Sequence, residues 1–216
     1  MLSEFFQAST GVPVPGFRTI EIWRPDDVRE VSFYTDDSGI LLIGFSPTLD
    51  TRDWMIDFNI LRETVTLNGL RISVHSGFWS EYQTMRLKVL QVLAQVKPTV
   101  VYISGFSKGA AHATLCHLDI LTSGAQVAVH TLAFGSPRLF GWWTASKLSK
   151  IYKDSGHLFQ RFTLSGDPVS RVPFGWWGFR HVGSELVADG PEWWFPGDIK
   201  VHNPGHYLSR IEALKA

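Results

Sequence analysis

The chain has 216 residues, of which 44% are hydrophobic and 19% are charged, and its 20 Lys and Arg residues balance 20 Asp and Glu residues. This length is typical of one domain, so we expect a single domain over residues 1–216 with its own core. The composition excludes a disordered or collagen-like chain, and the neutral net charge argues against a nucleic-acid partner.

Two features of the sequence favour a cytoplasmic location. Residues 1–10 lack the basic leader and the apolar run of a secretory signal peptide. Cys116 is the only cysteine, which excludes an internal disulfide and is typical of a reducing compartment. No stretch approaches about 18 consecutive apolar residues, so we expect a cytoplasmic protein without a transmembrane segment.

The first part of the chain combines short strands with two helical stretches. Strands are expected at residues 17–23, 30–34, 40–45 and 70–74. The turn-forming residues 35–39 join the second and third of them into a hairpin. Apolar residues at helical spacing predict a short helix at 49–60 and a long one at 78–96, which ends before Pro98.

After Pro98, strands and helices alternate along the chain. Strands are expected at residues 99–104, 126–134 and 158–164, and helices at 110–121, 142–152 and 207–214. The continuous apolar run at 99–104 is typical of a strand that is buried on both faces. Such alternation implies right-handed crossovers and a parallel sheet with helices on both faces, so the predicted class is α/β.

A G-x-S-x-G sequence at residues 105–109 lies between a predicted buried strand and a helix, which is the context of a nucleophile elbow. The sharp turn would expose the Ser107 hydroxyl at the start of the helix. There the Lys108 N–H and the helix dipole would favour developing negative charge. Gly105 and Gly109 would be required because a side chain would collide with nearby backbone. An incidental serine in a glycine-rich turn is the alternative.

A serine nucleophile needs a base and an acid, which follow it in the chain in the order acid, then histidine. Asp167 is the best-placed acid because it comes just after a predicted strand; a turn aspartate that bonds its own backbone is the alternative. His202 and His206 both precede the last helix. Spacing alone does not choose between these two histidines as the base.

His112, His117 and Asp119 lie on one predicted helix and are candidate metal ligands by residue type. Neither an H-E-x-x-H sequence nor a set of cysteines accompanies them. We therefore interpret them as packing or helix-surface residues and expect neither a metal nor a cofactor.

Six segments of the chain match, in order, the motifs of one family. The six segments are residues 45–57, 74–82, 105–109, 134–138, 166–173 and 181–185. They are similar, in the same order, to the family's sequences F-R-G-[ST] with D-W-x-x-D, V-H-x-G-F-x-x-x-Y, G-H-S-x-G, F-G-S-P-R, N-D-P-V-P-R-x-P and H-V-G-x-E. Over about residues 30–210 the chain resembles the class 3 lipases, the fungal-lipase-like branch of the α/β hydrolases.

This resemblance implies an α/β-hydrolase fold, with a mostly parallel central sheet, antiparallel N-terminal strands and helices on both faces. It implies Ser107 as the nucleophile and Asp167 as the acid of a triad. It also favours His202 over His206 as the base, because many members carry H-x-x-x-x-Y near the end and Tyr207 lies five residues after His202.

The resemblance further implies an oxyanion hole made by the backbone N–H groups of Thr48 and Lys108. A lid is expected around residues 49–60. The candidates for contact with the substrate are Trp54, Met55 and Phe58 of this lid, together with Phe106.

Three residues depart from the family pattern. Pro47 stands where glycine is usual, which puts the aim of the Thr48 N–H in doubt. Phe106 replaces the usual histidine of the elbow. Lys108 replaces leucine, and its ammonium would either stabilise anionic charge or, as we favour, lie exposed in solvent.

The expected function is that of a serine carboxylic-ester hydrolase, a lipase or esterase that acts through an acyl-enzyme on lipid or short-chain esters. A lipid interface is a further candidate contact, and six of the nine tryptophans occur as adjacent pairs that suit apolar contact or core packing. The alternatives are a thioesterase or amidase with the same triad, and a hydrolase-like binding module in which Pro47 spoils the oxyanion loop.

Overall fold

The computed structural model describes residues 2–25, 30–47, 61–190 and 198–214, which form five α-helices and eleven strands. The helices are α1 (Leu2–Ala8), α2 (Ser76–Val96), α3 (Lys108–Thr122), α4 (Trp142–Ser155) and α5 (Pro204–Ala213). The strands are β1 (Arg18–Trp23), β2 (Val31–Thr35), β3 (Ile40–Phe45), β4 (Arg62–Leu67), β5 (Leu70–His75), β6 (Val100–Phe106), β7 (Ala128–Phe134), β8 (Phe140–Gly141), β9 (Phe159–Leu164), β10 (Phe179–Arg180) and β11 (Ser184–Ala188). None of the described helices is long and apolar enough to cross a bilayer.

The central sheet has seven strands in the order β1-β2-β3-β6-β7-β9-β11. The two pairings at its N-terminal edge, β1 with β2 and β2 with β3, are antiparallel. The other four pairings are parallel. The predicted α/β fold with a mostly parallel sheet and antiparallel N-terminal strands is therefore confirmed.

Alternate side chains of a strand point to opposite faces of a sheet, so apolar side chains lie on both faces of this one. Helices cover each face. Leu41 and Ile43 of β3 belong to the larger core, which also contains residues of α2, α3 and α4. Leu42, between them in sequence, belongs to the other core, with residues of α1 and α5. The predicted helices on both faces are present.

Helix α1 is absent from the sequence predictions, and tertiary contacts explain why. A Cβ on Gly44 of β3 would lie 2.0 Å from the Ala8 carbonyl oxygen, so the backbone of α1 rests directly on the sheet. The buried Ser104 hydroxyl donates to the Phe5 carbonyl at 2.6 Å. A helix of seven residues is marginal by itself, so these contacts with the sheet stabilise it.

A second sheet, in the order β10-β8-β5-β4, was also not predicted. Two of its strands have only two residues, too few for a periodic pattern. The pairing of Phe179 with Gly141 brings the segment that follows β9 beside the start of α4. The helix expected at 49–60 lies outside the described residues.

Candidate active site

Ser107 occupies the turn between β6 and α3, and its backbone has the strained conformation of a nucleophile elbow. Its φ of 58° and ψ of −124° lie in a region that residues other than glycine rarely adopt. The Ser107 N–H donates to the Phe134 carbonyl at the end of β7, at 2.9 Å. The next N–H, that of Lys108, is the first of α3, and the first four N–H groups of a helix have no partner within it. The turn thus presents a hydroxyl and a backbone donor at the same helix terminus.

The two glycines of the elbow are required by close backbone packing. A Cβ on Gly105 would lie 2.2 Å from the Gly109 carbonyl oxygen. A Cβ on Gly109 would lie 2.1 Å from the Phe45 carbonyl oxygen and 2.9 Å from that of Ser46. Because atoms cannot approach this closely, a side chain at either position would push α3 away from the sheet.

Asp167 lies in the turn after β9, and its buried carboxylate accepts three hydrogen bonds. The Val169 N–H donates to Oδ1 at 2.8 Å. The Nδ1 of His202 and the hydroxyl of Tyr207 both contact Oδ2, at 2.7 and 2.5 Å. Since these bonds occupy both oxygens, the carboxylate is fixed in position and can orient the imidazole.

His202 is the histidine that contacts Asp167, and its tautomer follows from this contact. With Nδ1 beside a carboxylate, the proton of the neutral ring is assigned to Nδ1, which leaves a lone pair on Nε2. This Nε2 is buried and has no hydrogen-bond partner in the described part of the chain. A buried acceptor without a partner is costly in a structural role, and it is what a general base needs before substrate arrives.

Two contacts bring the His202 ring to the Ser107 end of the sheet. The ring of Phe106, the residue before Ser107, stacks on the imidazole with centroids 4.7 Å apart and an interplanar angle of 14°. A Cβ on Gly135, next to the carbonyl that binds the Ser107 N–H, would lie 2.7 Å from the imidazole Cε1. The imidazole and Ser107 therefore both lie beside the segment of residues 134 and 135.

Phe106 does not have the position expected of a residue that contacts substrate. It is 1% exposed and packs edge-on against Tyr207 as well as face-to-face against His202. Because its ring packs against one face of the imidazole, we interpret Phe106 as a core residue that holds His202 in position.

Tyr207 is a residue of the site that sequence reasoning used only as a spacing marker for His202. Its hydroxyl donates to Asp167 and accepts a hydrogen bond from the Leu164 N–H at 3.3 Å. Burial, together with the charge of Asp167, raises the pKa of Tyr207 well above its usual value. The tyrosine is therefore protonated at neutral pH and donates to the carboxylate.

The expectation that Lys108 lies exposed in solvent is wrong. Its side chain is 5% exposed, and its ammonium contacts the Glu81 carboxylate of α2 at 3.1 Å. The Nε2 of His112 lies 3.1 Å from the same carboxylate. Burial would raise the pKa of Glu81, but hydrogen bonds and charge interactions with His112 and Lys108 outweigh it and lower this pKa to about 2. Sequence reasoning did not find Glu81, because its partners lie 27 residues or more away.

Glu81→Gln should destabilise the protein by about 2 kcal/mol at neutral pH, because it leaves the buried ammonium without its counter-ion. A lowered pKa means that the ionised carboxylate stabilises the fold above its unfolded value of 4.5 and ceases to do so as pH falls toward 2. The difference in unfolding free energy between variant and wild type should therefore shrink from pH 5 to the lowest pH at which the protein is folded. Urea unfolding at several pH values measures it.

Glu212→Gln is the matched control, since this exposed glutamate of α5 has no ion pair among the described residues. It should leave the unfolding free energy nearly unchanged at every pH. A Glu81→Gln variant whose loss of stability is the same at pH 3 and pH 7 would contradict the assignment of the ion pair.

The remaining predicted site residues fall outside the described ranges. Thr48, with its expected oxyanion N–H, and the expected lid residues Trp54, Met55 and Phe58 all belong to residues 48–60. His75 lies within the described ranges, where it precedes α2 and accepts a hydrogen bond from the Phe78 N–H at 3.4 Å. Over the described ranges, no group of three or more His, Cys, Asp or Glu side chains is arranged to hold a metal ion.

Comparison with known proteins identifies the family to which the chain belongs. The model of the class 3 lipase family matches residues 42–176, which is more than half of the chain. The chain belongs to the class 3 lipase family. Lipase II from Rhizopus niveus has the same fold, with a TM-score of 0.69 and 22% identity over 80% of this chain and 67% of that one. The resemblance inferred from the six motifs is thus confirmed.

Curated relatives of this class 3 lipase are fungal proteins of greater length. The secreted mono- and diacylglycerol lipase A of Penicillium cyclopium is 29% identical over 156 residues, 70% of this chain and 48% of the relative. The secreted mono- and diacylglycerol lipase 1 of Fusarium solani is 26% identical over 154 residues, 69% of this chain and 44% of the relative. The chain therefore spans about half the length of the curated relatives it matches.

The prediction of a cytoplasmic location is wrong, because these relatives are named as secreted proteins, which points to an extracellular location. The prediction rested on a lone cysteine and on the absence of a leader-like run in residues 1–10. Neither feature excludes secretion, since a domain of this size builds its core without a disulfide.

Proposed function

We propose that this protein is a serine carboxylic-ester hydrolase that cleaves acylglycerol-type lipid esters through an acyl-enzyme. The observation that carries the proposal is the contact between Asp167 and His202 at 2.7 Å, beside the strained turn that holds Ser107. The family description and the names of the mono- and diacylglycerol lipases support the ester class.

In the proposed reaction, Nε2 of His202 removes the proton of the Ser107 hydroxyl as the oxygen attacks the ester carbonyl. Asp167 stabilises the imidazolium that forms, and the Lys108 N–H donates to the oxyanion of the tetrahedral intermediate. The imidazolium then protonates the leaving alcohol, so the C–O bond breaks and an acyl-Ser107 remains. Water, deprotonated by the same imidazole, attacks this ester; the imidazolium then protonates the Ser107 oxygen as the bond to the acyl group breaks, which releases the fatty acid.

The Phe106 ring has a defined role in this scheme. Its face lies against the imidazole of His202, and an aromatic face attracts a cation. The imidazolium forms only during the reaction, so this attraction stabilises the transition state more than the resting enzyme.

A panel of substrates tests the proposed activity and its rival specificities. We expect turnover of p-nitrophenyl esters of graded chain length and of a dispersed diacylglycerol, with no turnover by Ser107→Ala. Turnover of an acyl thioester or an anilide without turnover of any ester would contradict the ester assignment while leaving the triad in place. A folded protein that cleaves none of these substrates would favour a non-catalytic binding module.

A further inference from the structure

Four exposed tryptophans lie together on the surface of the protein, outside the candidate triad. Trp143 and Trp176 are 79% and 78% exposed, and Trp142 and Trp177 are 53% and 39% exposed. We call these four residues, Trp142, Trp143, Trp176 and Trp177, the tryptophan patch. Indole is costly to expose in water, so four such side chains on one surface indicate that something covers them.

The fold brings the two pairs side by side. Trp142 and Trp143 begin α4, and Trp176 and Trp177 belong to a 3₁₀ turn just before β10. The Trp142 N–H donates to the Gly178 carbonyl at 2.9 Å, in continuation of the pairing between β8 and β10. Within each pair the rings contact each other, with centroids 4.8 and 6.3 Å apart. Phe174 stacks on Trp176 at 4.4 Å and stiffens the second pair.

The segments that carry the patch are positively charged, although the net charge of the whole chain is zero. Residues 136–153 and 169–180 contain no Asp or Glu. Their cations are Arg138, Lys147, Lys150, Lys153, Arg171 and Arg180. Burial, together with the charges of Arg180, Arg161 and Arg171, lowers the pKa of the Arg138 guanidinium, as expected where cations are close together.

Two arginines, one of them from β4, donate hydrogen bonds to the backbone of the turn. Arg180 donates to the Gly175 carbonyl at 2.6 Å, and Arg62 of β4 donates to the Gly178 carbonyl at 3.1 Å. The Arg62 guanidinium also lies 5.1 Å from the centre of the Phe179 ring. These bonds hold two guanidinium groups against the backbone of the turn that carries Trp176 and Trp177.

The two segments that carry the patch follow the ends of β7 and β9 in the chain. The 3₁₀ turn follows Asp167 by eight residues, and α4 follows the segment that leaves the carboxyl end of β7. β6, β7 and β9 are parallel, so both segments leave the sheet from the edge at which Ser107 lies.

We propose that the tryptophan patch binds the surface of anionic lipid assemblies, with the indoles at the headgroup level and the surrounding cations against lipid phosphates. Tryptophan prefers the boundary between water and lipid, and each Lys or Arg near an anionic membrane adds attraction. Tryptophan and arginine also occur at protein interfaces, so self-association is an outcome that the test below distinguishes. One part of this proposal, that the bound lipid surface contains the substrate, rests on the proposed function.

Co-sedimentation with unilamellar vesicles tests this proposal on the whole protein. We expect binding to phosphatidylcholine vesicles that contain about 30 mol% phosphatidylglycerol, and weaker binding to pure phosphatidylcholine or at high salt. Trp143→Ala and Trp176→Ala should each weaken binding about tenfold, since each removes one aromatic side chain from the lipid boundary. Arg171→Gln should weaken binding to the anionic vesicles alone.

Matched controls replace exposed residues elsewhere. Leu87→Ala, in the middle of α2 and 70% exposed, and Arg71→Gln, at the start of β5, should bind vesicles like the wild type. Hydrolysis of a soluble short-chain ester by the same preparations separates the two proposals, because all these variants should retain it. Wild-type protein that does not bind the anionic vesicles, or tryptophan variants that bind as well as wild type, would overturn the proposal. Concentration-dependent dimers that Trp143→Ala and Trp176→Ala abolish, without vesicle binding, would overturn it in favour of self-association.

Discussion

Ser107→Ala should lower kcat for ester hydrolysis by about 10⁴- to 10⁶-fold with little change in KM, because it removes the atom that we propose attacks the substrate. His202→Ala should cost about as much. The double variant should be no slower than either single variant, since the two residues act on the same step. Steady-state kinetics on a p-nitrophenyl ester, with thermal unfolding to verify the fold, measure all three.

Ser165→Ala is the control, because this exposed serine lies near Asp167 in sequence but has no part in the proposed reaction. It should retain wild-type kcat. Two single variants whose losses multiply in the double variant would contradict a shared role for Ser107 and His202.

The second large effect is expected at Asp167. Asp167→Asn keeps the shape of the side chain and the acceptor for the Val169 N–H, but it removes the charge that faces Nδ1 of His202 at 2.7 Å. Without a carboxylate there, the ring is no longer held in the tautomer that leaves Nε2 free, and the imidazolium loses its counter-ion. We expect a loss in kcat of about 10³- to 10⁴-fold at unchanged KM.

Tyr207→Phe separates the charge of Asp167 from its orientation. It removes the hydrogen bond to Oδ2 and the acceptor for the Leu164 N–H, while it keeps the aromatic ring. We expect a loss of only about tenfold in kcat and about 1 kcal/mol in unfolding free energy. Losses of equal size in kcat for Tyr207→Phe and Asp167→Asn would mean that the carboxylate acts through the tyrosine rather than through the imidazole.

The nucleophile elbow could be predicted because its pattern is local. A buried strand, a glycine-flanked serine and a helix rich in small residues follow one another within about 20 residues, and the backbone contacts of Gly105 and Gly109 explain why those small residues occur. The alternating strands and helices of the second half are local patterns too, and their predicted bounds lie within a few residues of the observed ones.

Other features depend on residues that are far apart in sequence. The burial of Lys108 follows from Glu81, which α2 brings to it from 27 residues away. Contact with Asp167 distinguishes His202 from His206. Neither the spacing of the two histidines nor the composition of the chain predicts that contact. Helix α1 depends on Gly44 and Ser104 for its position on the sheet. For the same reason, the adjacency of Trp142 and Trp177 could be seen only after β8 and β10 were paired.

The proposed function depends on an activated Ser107, and covalent labelling is the most direct test of that activation. The folded protein is treated with a fluorophosphonate, digested, and mapped by mass spectrometry, with His202→Ala treated in parallel. We predict one adduct on the wild type, on the peptide that contains Ser107, and labelling of His202→Ala that is slower by orders of magnitude. A folded wild-type protein that carries no adduct at Ser107 would contradict the proposed function. A His202→Ala variant that reacts as fast as the wild type would contradict it too.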